Sequence, residues 1–157
     1  MANIWNNDNS RNIPVLANKI LNEIIKLDNN GLQVSFETLV SSVPSILYGK
    51  VKEDIREANY HIWFLSWFML MGFSMETEIL ISKGRIDAVL KKDDLLVIIE
   101  IKHDLAKSLD KLVDEAIGQI KNKEYYSPYI GLNYNIVLLG VAFGDRTVKC
   151  HVESLNI

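Results

Sequence analysis

A run of five apolar residues that ends in alternating charges constrains the fold of this chain more than any other feature. Leu95 to Ile99 is apolar enough to be a strand covered on both faces of a sheet. Glu100-Ile101-Lys102 follows at once, and because side chains alternate along a strand, Glu100 and Lys102 share one face. Two such positions lie roughly 7 Å apart. The pattern predicts a central strand that carries a carboxylate and an ammonium to one edge of a sheet.

A second carboxylate lies upstream of this strand. Asp87 precedes Glu100 by thirteen residues and falls on another predicted strand, Arg85 to Leu90. The polar residues 91–94 between the two strands predict a turn, so a hairpin can bring Asp87 beside Glu100. Two carboxylates within a few ångströms repel each other unless a cation lies between them. Mg²⁺ is the natural choice, because it prefers oxygen ligands and usually keeps several waters.

Lys102 completes a set of side chains suited to phosphodiester chemistry. A metal-bound water would serve as the nucleophile, and the metal would stabilise charge on the phosphate. Lys102 is placed to orient or deprotonate that water, or to stabilise the oxyanion. The competing interpretation is a solvated ion pair between Glu100 and Lys102. Asp87, and the cost of unpaired charges on a central strand, favour the metal site.

The rest of the chain alternates helical and strand patterns. Apolar residues at helical spacing, and apolar runs bounded by turn residues, predict the elements. In chain order these are helices Val15–Leu27, Ser35–Ser42 and Val51–Met71, strands Phe73–Ile81, Arg85–Leu90 and Leu95–Lys102, helix Leu105–Tyr125, and strands Tyr134–Phe143 and Thr147–Glu153. Residues 29–31 are expected to end the first helix, Ser35 to cap the second, and Pro44 and Gly49 to mark a loop.

This order of elements predicts an α/β fold with a mixed central sheet flanked by helices. The short turns at 82–84 and 91–94 indicate antiparallel hairpins, whereas the long helix before the fourth strand permits a crossover and hence a parallel pair. We expect a single domain over residues 1–157. In it, residues 1–50 form an N-terminal arm and helical extension, loosely ordered up to Arg11, and residues 51–157 form the core.

Composition limits the kinds of partner. The net charge of −3 excludes a polycation, so nucleic acid would have to bind through a local basic face. The single cysteine, Cys150, rules out an internal disulfide and indicates a reducing, cytoplasmic setting, and with three histidines it argues against a structural zinc site. The apolar run 62–71 is shorter than the about 20 residues that cross a bilayer, so we interpret it as a core helix and expect no membrane partner.

Three segments together resemble the PD-(D/E)xK nuclease superfamily. They are Gly84-Arg85-Ile86-Asp87, Ile99-Glu100-Ile101-Lys102 and the helical stretch Ala116–Tyr125. More narrowly, the chain is similar to the branch found as the C-terminal domain of bacterial and archaeal AAA-ATPase-like proteins. In that branch a helix with a Glu and a His leads into a Gly-Phe turn, and the first strand carries a Glu. The corresponding residues here are Glu57, His61, Gly72, Phe73 and Glu78, and the resemblance extends from about Val43 to Val152.

The resemblance implies a restriction-endonuclease-like core of helix, three-stranded meander, helix and strand. It also implies hydrolysis of DNA that depends on Mg²⁺, for which Mn²⁺ would substitute. Asp87 and Glu100 would be metal ligands and Lys102 the catalytic lysine. The backbone carbonyl of Ile101 and the carboxylate of Glu57 are further candidate ligands.

Several side chains are candidates for supporting roles. Gln119 lies at the border of the buried stripe of its helix, and it is predicted to reach the site and hold a metal water or a phosphate, as a corresponding Gln does in related nucleases. Tyr125 or Tyr126 is expected to join it. His61 would pair with the Glu57 carboxylate one helical turn away. Glu78 would be a helper carboxylate or an exposed strand residue.

Six basic side chains are candidates for a rim that contacts a phosphate backbone. Acidic residues interleave with them, so a mixed, solvated face fits the same pattern. The six are Lys83, Arg85, Lys107, Lys111, Lys121 and Lys123.

The chain departs from the family in two places, of which the first is common in this branch, and two interpretations from other classes stay open. Ile86 stands where the superfamily has its name-giving Pro, and the ATPase portion with its Gly-rich phosphate loop is missing. The alternative is a non-catalytic nucleic-acid-binding or assembly module that acts with a separate ATPase partner, although the intact Asp87, Glu100 and Lys102 argue against a degenerate site. The charges can also form a buried ion-pair network without a metal. Many nucleases of this fold are dimers, which leaves a homodimer open, with segment 125–134 as its interface.

Overall fold

The computed structural model of the chain describes the backbone of residues 7–42 and 53–156, and the side chains of residues 15–42 and 61–156. Four helices and five strands make up these ranges, with a short 3-10 turn at Ser127–Tyr129. The elements are α1 (Asn7–Ile25), α2 (Asn29–Ser41), α3 (Glu53–Leu70), β1 (Ser74–Ile81), β2 (Gly84–Lys92), β3 (Leu95–His103), α4 (Leu109–Asn122), β4 (Asn135–Phe143) and β5 (Val148–Ser154).

The five strands form one mixed sheet in the order β1-β2-β3-β4-β5. Neighbouring strands are antiparallel except β3 and β4, which run parallel because α4 provides the crossover between them. β3 lies in the middle, and its residues from Leu95 to Ile101 are all buried. The predicted α/β class, the two hairpins and the parallel pair are confirmed.

Helices cover both faces of the sheet, and the alternation along β3 divides its side chains between them. Val97 and Ile99 pack into a core shared with α1, α2 and α3. Leu96 and Ile98 pack into a second core with α4. Glu100 continues the second series, so its side chain lies on the α4 face of the sheet.

One face of the apolar run in α3 packs into the first core, whereas Ile62, Met69 and Leu70 are exposed, so the prediction of a core helix holds for that face only. The Phe64 ring makes edge contacts with Phe36 of α2, Phe68 of α3 and Phe143 of β4, at centroid distances of 5.0, 5.2 and 5.4 Å. Trp63 and Trp67 are partly buried against the same core. No helix within the described residues is long and apolar enough to span a membrane.

The start of α4 differs from the sequence prediction because of a capping residue. The Ser108 hydroxyl accepts a hydrogen bond from the Lys111 backbone N–H, so the helix begins at Leu109 rather than at Leu105. Five residues at helical spacing are buried along it, as predicted. They are Leu112, Val113, Ala116, Ile117 and Ile120. The helix ends at Asn122, before the predicted Tyr125, because Glu124 takes a positive φ of 48°.

The N-terminal predictions need correction. α1 begins at Asn7, so residues 7–11 are helical rather than a loose arm; its first turns are polar and show no apolar stripe. The segment predicted to end α1 in fact begins α2, because the Asp28 carboxylate accepts from the Gly31 N–H and caps the helix at Asn29. Ser35 is consequently not a cap but a buried residue within α2. Residues 1–6, and the loop predicted around Pro44 and Gly49, lie outside the described residues.

Candidate active site

Glu100 and Lys102 emerge side by side from the C-terminal end of β3. Only 3 % of the Glu100 surface is exposed, whereas Lys102 is half-buried. The Lys102 Nζ donates to the Glu100 Oε1 at 3.1 Å. The two-residue spacing therefore produces the shared face that alternation predicts.

Asp87 reaches the same region from β2, at the point where the pairing of β2 with β3 stops. The ladder runs from Lys92 opposite Leu95 to Ala88 opposite Ile99, and it does not continue to Asp87 and Glu100. Instead, the Asp87 Oδ2 accepts a hydrogen bond from the Ile101 backbone N–H at 2.8 Å. One oxygen of this half-buried carboxylate is thereby fixed against β3.

Gln119 of α4 joins the three charged residues. Its Nε2 donates to the Glu100 Oε1 at 2.6 Å, and its Oε1 accepts from the Lys102 Nζ at 2.5 Å. Only this orientation of the amide is compatible with a carboxylate on one side and an ammonium on the other. The second Nε2 hydrogen is directed to the Tyr125 hydroxyl at 3.0 Å. Gln119 thus ties α4 to the end of β3.

Tyr125, rather than Tyr126, completes this network. Its side chain is almost fully buried, and its hydroxyl lies against the turn before β2, where a Cβ on Gly84 would come within 3.0 Å of it. The six-residue interval from Gln119 exceeds one helical turn, but α4 has ended at Asn122 and the chain turns back toward the sheet. Tyr126 lines a separate depression with Lys121 and Glu153.

Burial and a neighbouring charge act together on Glu100. Desolvation, followed by the Asp87 charge, raises the pKa of Glu100 from 4.5 to about 7, although Lys102 opposes the rise. The Oε2 of Glu100 is buried and has no hydrogen-bond partner among the described residues. A buried carboxylate oxygen without a partner carries a desolvation cost that a bound cation would remove.

A comparison with protein families matches residues 55–153, more than half of the chain, to the PD-(D/E)XK nuclease superfamily. The chain belongs to this superfamily. The matched residues include Asp87, Glu100, Lys102 and Gln119. PD-(D/E)XK nucleases typically use divalent metal ions. A search of curated proteins found no match.

The remaining candidates stand apart from this PD-(D/E)XK centre to different degrees. Glu57 lies on α3, but its side chain is outside the described residues. His61 is half-buried in the same helix. Glu78 is exposed on β1 and pairs with Arg85 at 2.9 Å. Among the side chains that the structure describes, no group of three or more His, Cys, Asp or Glu could hold a metal ion. The described carboxylates at the centre are therefore the pair Asp87 and Glu100.

The predicted basic rim is largely neutralised by acidic neighbours. Four of its six members form ion pairs, which favours a mixed, solvated face. The pairs are Lys83 with Glu124, Arg85 with Glu78, Lys107 with Glu115, and Lys121 with Glu153.

Proposed function

We propose that this PD-(D/E)XK protein is a divalent-metal-dependent nuclease that hydrolyses the phosphodiester bonds of DNA. Asp87 and Glu100 are the proposed metal ligands, and Lys102 assists the attack of water. The observation that carries the proposal is the unpartnered, buried Oε2 of Glu100 next to a second carboxylate. The Glu23 Oε2 of the Lys19–Glu23 ion pair also lacks a partner, so the orphaned oxygen of Glu100 points to a cation only together with the neighbouring Asp87 charge.

The donor set fits a hard divalent cation. Carboxylate oxygens are the ligands of Mg²⁺, and Mn²⁺ accepts the same ligands, so both ions suit Asp87 and Glu100. The backbone of Ile101 supports the site as well. Its N–H points to Asp87, and because the N–H and C=O of one strand residue face the same neighbouring strand, its carbonyl is a candidate third ligand. Glu57 stays a prediction as an additional ligand.

The hydrogen bonds of Lys102 leave its ammonium group able to donate to a substrate or a water. An ammonium group has three hydrogens, of which Glu100 and Gln119 accept two. The third is available for a phosphate oxygen or for the attacking water, where a donor stabilises developing negative charge. A bound divalent cation would supply a water of lowered pKa and would neutralise charge on the phosphate.

Gln119 acts as a positioning residue in this proposal. Both hydrogens of its amide are already directed to Glu100 and Tyr125, and its oxygen accepts from Lys102. It therefore sets the distance between the metal-binding carboxylate and the catalytic ammonium. The buried Tyr125 hydroxyl fixes the amide in turn.

Partners and location are proposed on narrower grounds. The nuclease superfamily supports a nucleic-acid substrate, for which we propose DNA, and an ATPase partner is proposed from the resemblance to the ATPase-linked branch alone. A homodimer through segment 125–134 and a cytoplasmic setting stay predictions. Tyr125 and Tyr129 of that segment are buried, so its exposed apolar residues Ile130 and Leu132 would form the contact.

The test is cleavage of plasmid and single-stranded DNA with Mg²⁺ or Mn²⁺, by the wild type and by Asp87→Ala and Lys102→Ala. We expect the wild type to cleave, and each variant to lose at least about a hundredfold in rate, since catalytic electrostatic groups contribute about 10²–10³. Asp93→Asn, in the turn at the opposite end of β3, and Lys26→Ala, exposed after α1, are matched controls that should keep the wild-type rate. Wild-type cleavage no faster than that of the variants would refute the catalytic assignment. Binding without cleavage would support the assembly module instead.

A further inference from the structure

The pairing of β1 with β2 has a gap at Asp87. Seven residue pairs join the two strands in one constant register, but Glu78 and Asp87, which this register would place opposite each other, do not pair. Glu78 has a positive φ of 54°. Within the part of the chain that the structure describes, the other non-glycine residues with positive φ all lie in turns or loops, so Glu78 is the one inside a strand.

Both strands change faces across this gap. In β1, Met75 packs into the core on the side of α1–α3, whereas Ile79 packs into the core beneath α4. In β2, Ala88 packs toward the first core and Ile86 toward the second. Residues separated by two or four positions share a face in a regular strand. The side-chain alternation of each strand therefore shifts by one face between these residues. Both shifts fall at the unpaired Glu78 and Asp87. Because the two strands shift together, the β1–β2 register is the same on both sides of the gap.

This face change explains how Asp87 reaches the backbone of β3. Side chains of a regular strand stand roughly perpendicular to the sheet, while backbone N–H groups lie in its plane. The Asp87 carboxylate nevertheless accepts from the Ile101 N–H at 2.8 Å. At the point where β2 changes faces, the side chain is directed sideways, toward β3 and Glu100.

We propose that Glu78 is a positioning residue, whose left-handed backbone opens the β1–β2 ladder and turns the Asp87 carboxylate into the plane of the sheet. The metal-binding role of Asp87 in this inference rests on the proposed function, whereas the geometric role of Glu78 does not. A non-glycine residue in this conformation costs free energy, and such strain persists where surrounding structure imposes it. Here the regular pairs on both sides of the gap hold the strained residue in place.

The side chain of Glu78 does not take part in positioning Asp87. It is exposed and contacts Arg85 at 2.9 Å, on the strand opposite. The backbone conformation of Glu78, and not its ion pair with Arg85, is therefore the feature that positions Asp87. Substitutions that change the φ preference at position 78 should matter, and removal of the ion pair should not.

The experiment compares Glu78→Gly, which tolerates positive φ, with Glu78→Val, whose branched side chain strongly disfavours it. Arg85→Gln removes the ion pair alone. Thr77→Gly is the matched control, because Thr77 is the exposed neighbour of Glu78 on β1 and pairs regularly with Ala88 of β2. Three quantities are measured: the Ile101 amide resonance and its hydrogen exchange without metal, the melting temperature, and the Kd for Mn²⁺ by calorimetry.

We expect Glu78→Gly to keep the protected Ile101 amide and the Mn²⁺ affinity, and to melt no lower than the wild type, while Thr77→Gly melts lower. Glu78→Val should expose the Ile101 amide and raise the Kd about tenfold, or about 1.4 kcal/mol. Arg85→Gln should change neither the protection of the Ile101 amide nor the Kd for Mn²⁺. The inference is overturned if Glu78→Val retains the Ile101 signal, if Glu78→Gly loses it, or if Arg85→Gln does.

Two outcomes separate this inference from the proposed function. If Glu78→Val fails to fold, Glu78→Thr takes its place, because it is also β-branched but keeps the exposed position polar, and the Ile101 amide again decides. If the wild type binds no Mn²⁺, the proposed metal site fails, while the Ile101 amide still reports whether Glu78 positions Asp87.

Discussion

Glu100 experiences opposing influences that make the metal-free protein sensitive to pH. Its burial and the Asp87 charge raise its pKa to about 7, whereas Lys102 favours the ionised form. In the unfolded chain the carboxyl titrates near its ordinary 4.5. Between these values the folded state binds more protons than the unfolded state, so the free energy of unfolding falls as pH rises.

The pH prediction follows from that difference. We expect the metal-free wild type to lose stability between about pH 4.5 and pH 7, by roughly 3 kcal/mol at most, relative to Glu100→Gln, which cannot ionise. Urea unfolding of both proteins at several pH values measures it. A stability difference between the two that stays constant with pH would contradict the assigned environment of Glu100.

Gln119 provides a second residue-level prediction. Its replacement by alanine removes the hydrogen bonds that hold Glu100 and Lys102 at their present separation. We expect a loss of about 10- to 100-fold in cleavage rate, the range seen when residues that orient metal ligands are removed. The fold should be retained. Kinetics with Mn²⁺ would report the loss, and a shifted pH–rate profile would distinguish positioning from general destabilisation. An unchanged rate and profile would show that Gln119 is only structural.

The sequence indicated part of this centre and not all of it. Alternation along a strand suffices to put Glu100 and Lys102 together, and an amphipathic helix places Gln119 at the edge of its buried stripe. The contact of Asp87 with the Ile101 N–H depends on a local failure of strand pairing, and regular periodicity contains no signal for that. Tyr125 approaches through an irregular turn after α4, so helical spacing could not identify it over Tyr126.

At the level of elements, the contact of α4 with the sheet places Gln119 above β3. The helix crosses β4 at Gly140, which pairs with Glu100. A Cβ at Gly140 would lie 3.0 Å from the Ile117 Cγ1 and 3.2 Å from the Val113 carbonyl oxygen of α4. The close approach of helix to sheet therefore depends on the absence of a side chain there.

Two glycine-to-alanine substitutions should have opposite effects. Gly140→Ala must push α4 outward, so we expect it to destabilise the fold by about 1–3 kcal/mol, as overpacking does, and to slow cleavage by displacing Gln119. Gly118→Ala lies within α4 with no atom in reach of the added methyl group, and it should stabilise the fold by up to about 1 kcal/mol. Urea unfolding measures both. Equal effects would contradict the packing described at Gly140.

Element types were predictable, but element ends were less so. Helical spacing and apolar runs bounded by turn residues identify the nine elements of the described ranges, because burial on one or both faces requires apolar residues at those positions. The ends of α2 and α4 are set by single capping side chains, Asp28 and Ser108, that compete with nearby alternatives such as Ser35. Which of several candidate side chains caps a helix depends on the loop conformation of the packed chain, and the local sequence does not determine that conformation.

At the scale of the whole molecule, the sheet organises the chemistry. Helices α1, α2 and α3 bury one face, α4 buries the other, and the charged centre lies where β2 and β3 separate at one end of the central strand. Membership of the PD-(D/E)XK superfamily agrees with this arrangement.

The central claim is that Asp87 and Glu100 share a divalent cation. Anomalous diffraction from crystals of the protein soaked in Mn²⁺ tests it most directly. We predict a single strong peak within coordination distance of the Asp87 carboxylate and the Glu100 Oε2, and its absence in Glu100→Ala crystals soaked in the same way. A wild-type map without this peak, in which the Lys102 Nζ occupies the space between the two carboxylates, would contradict the account.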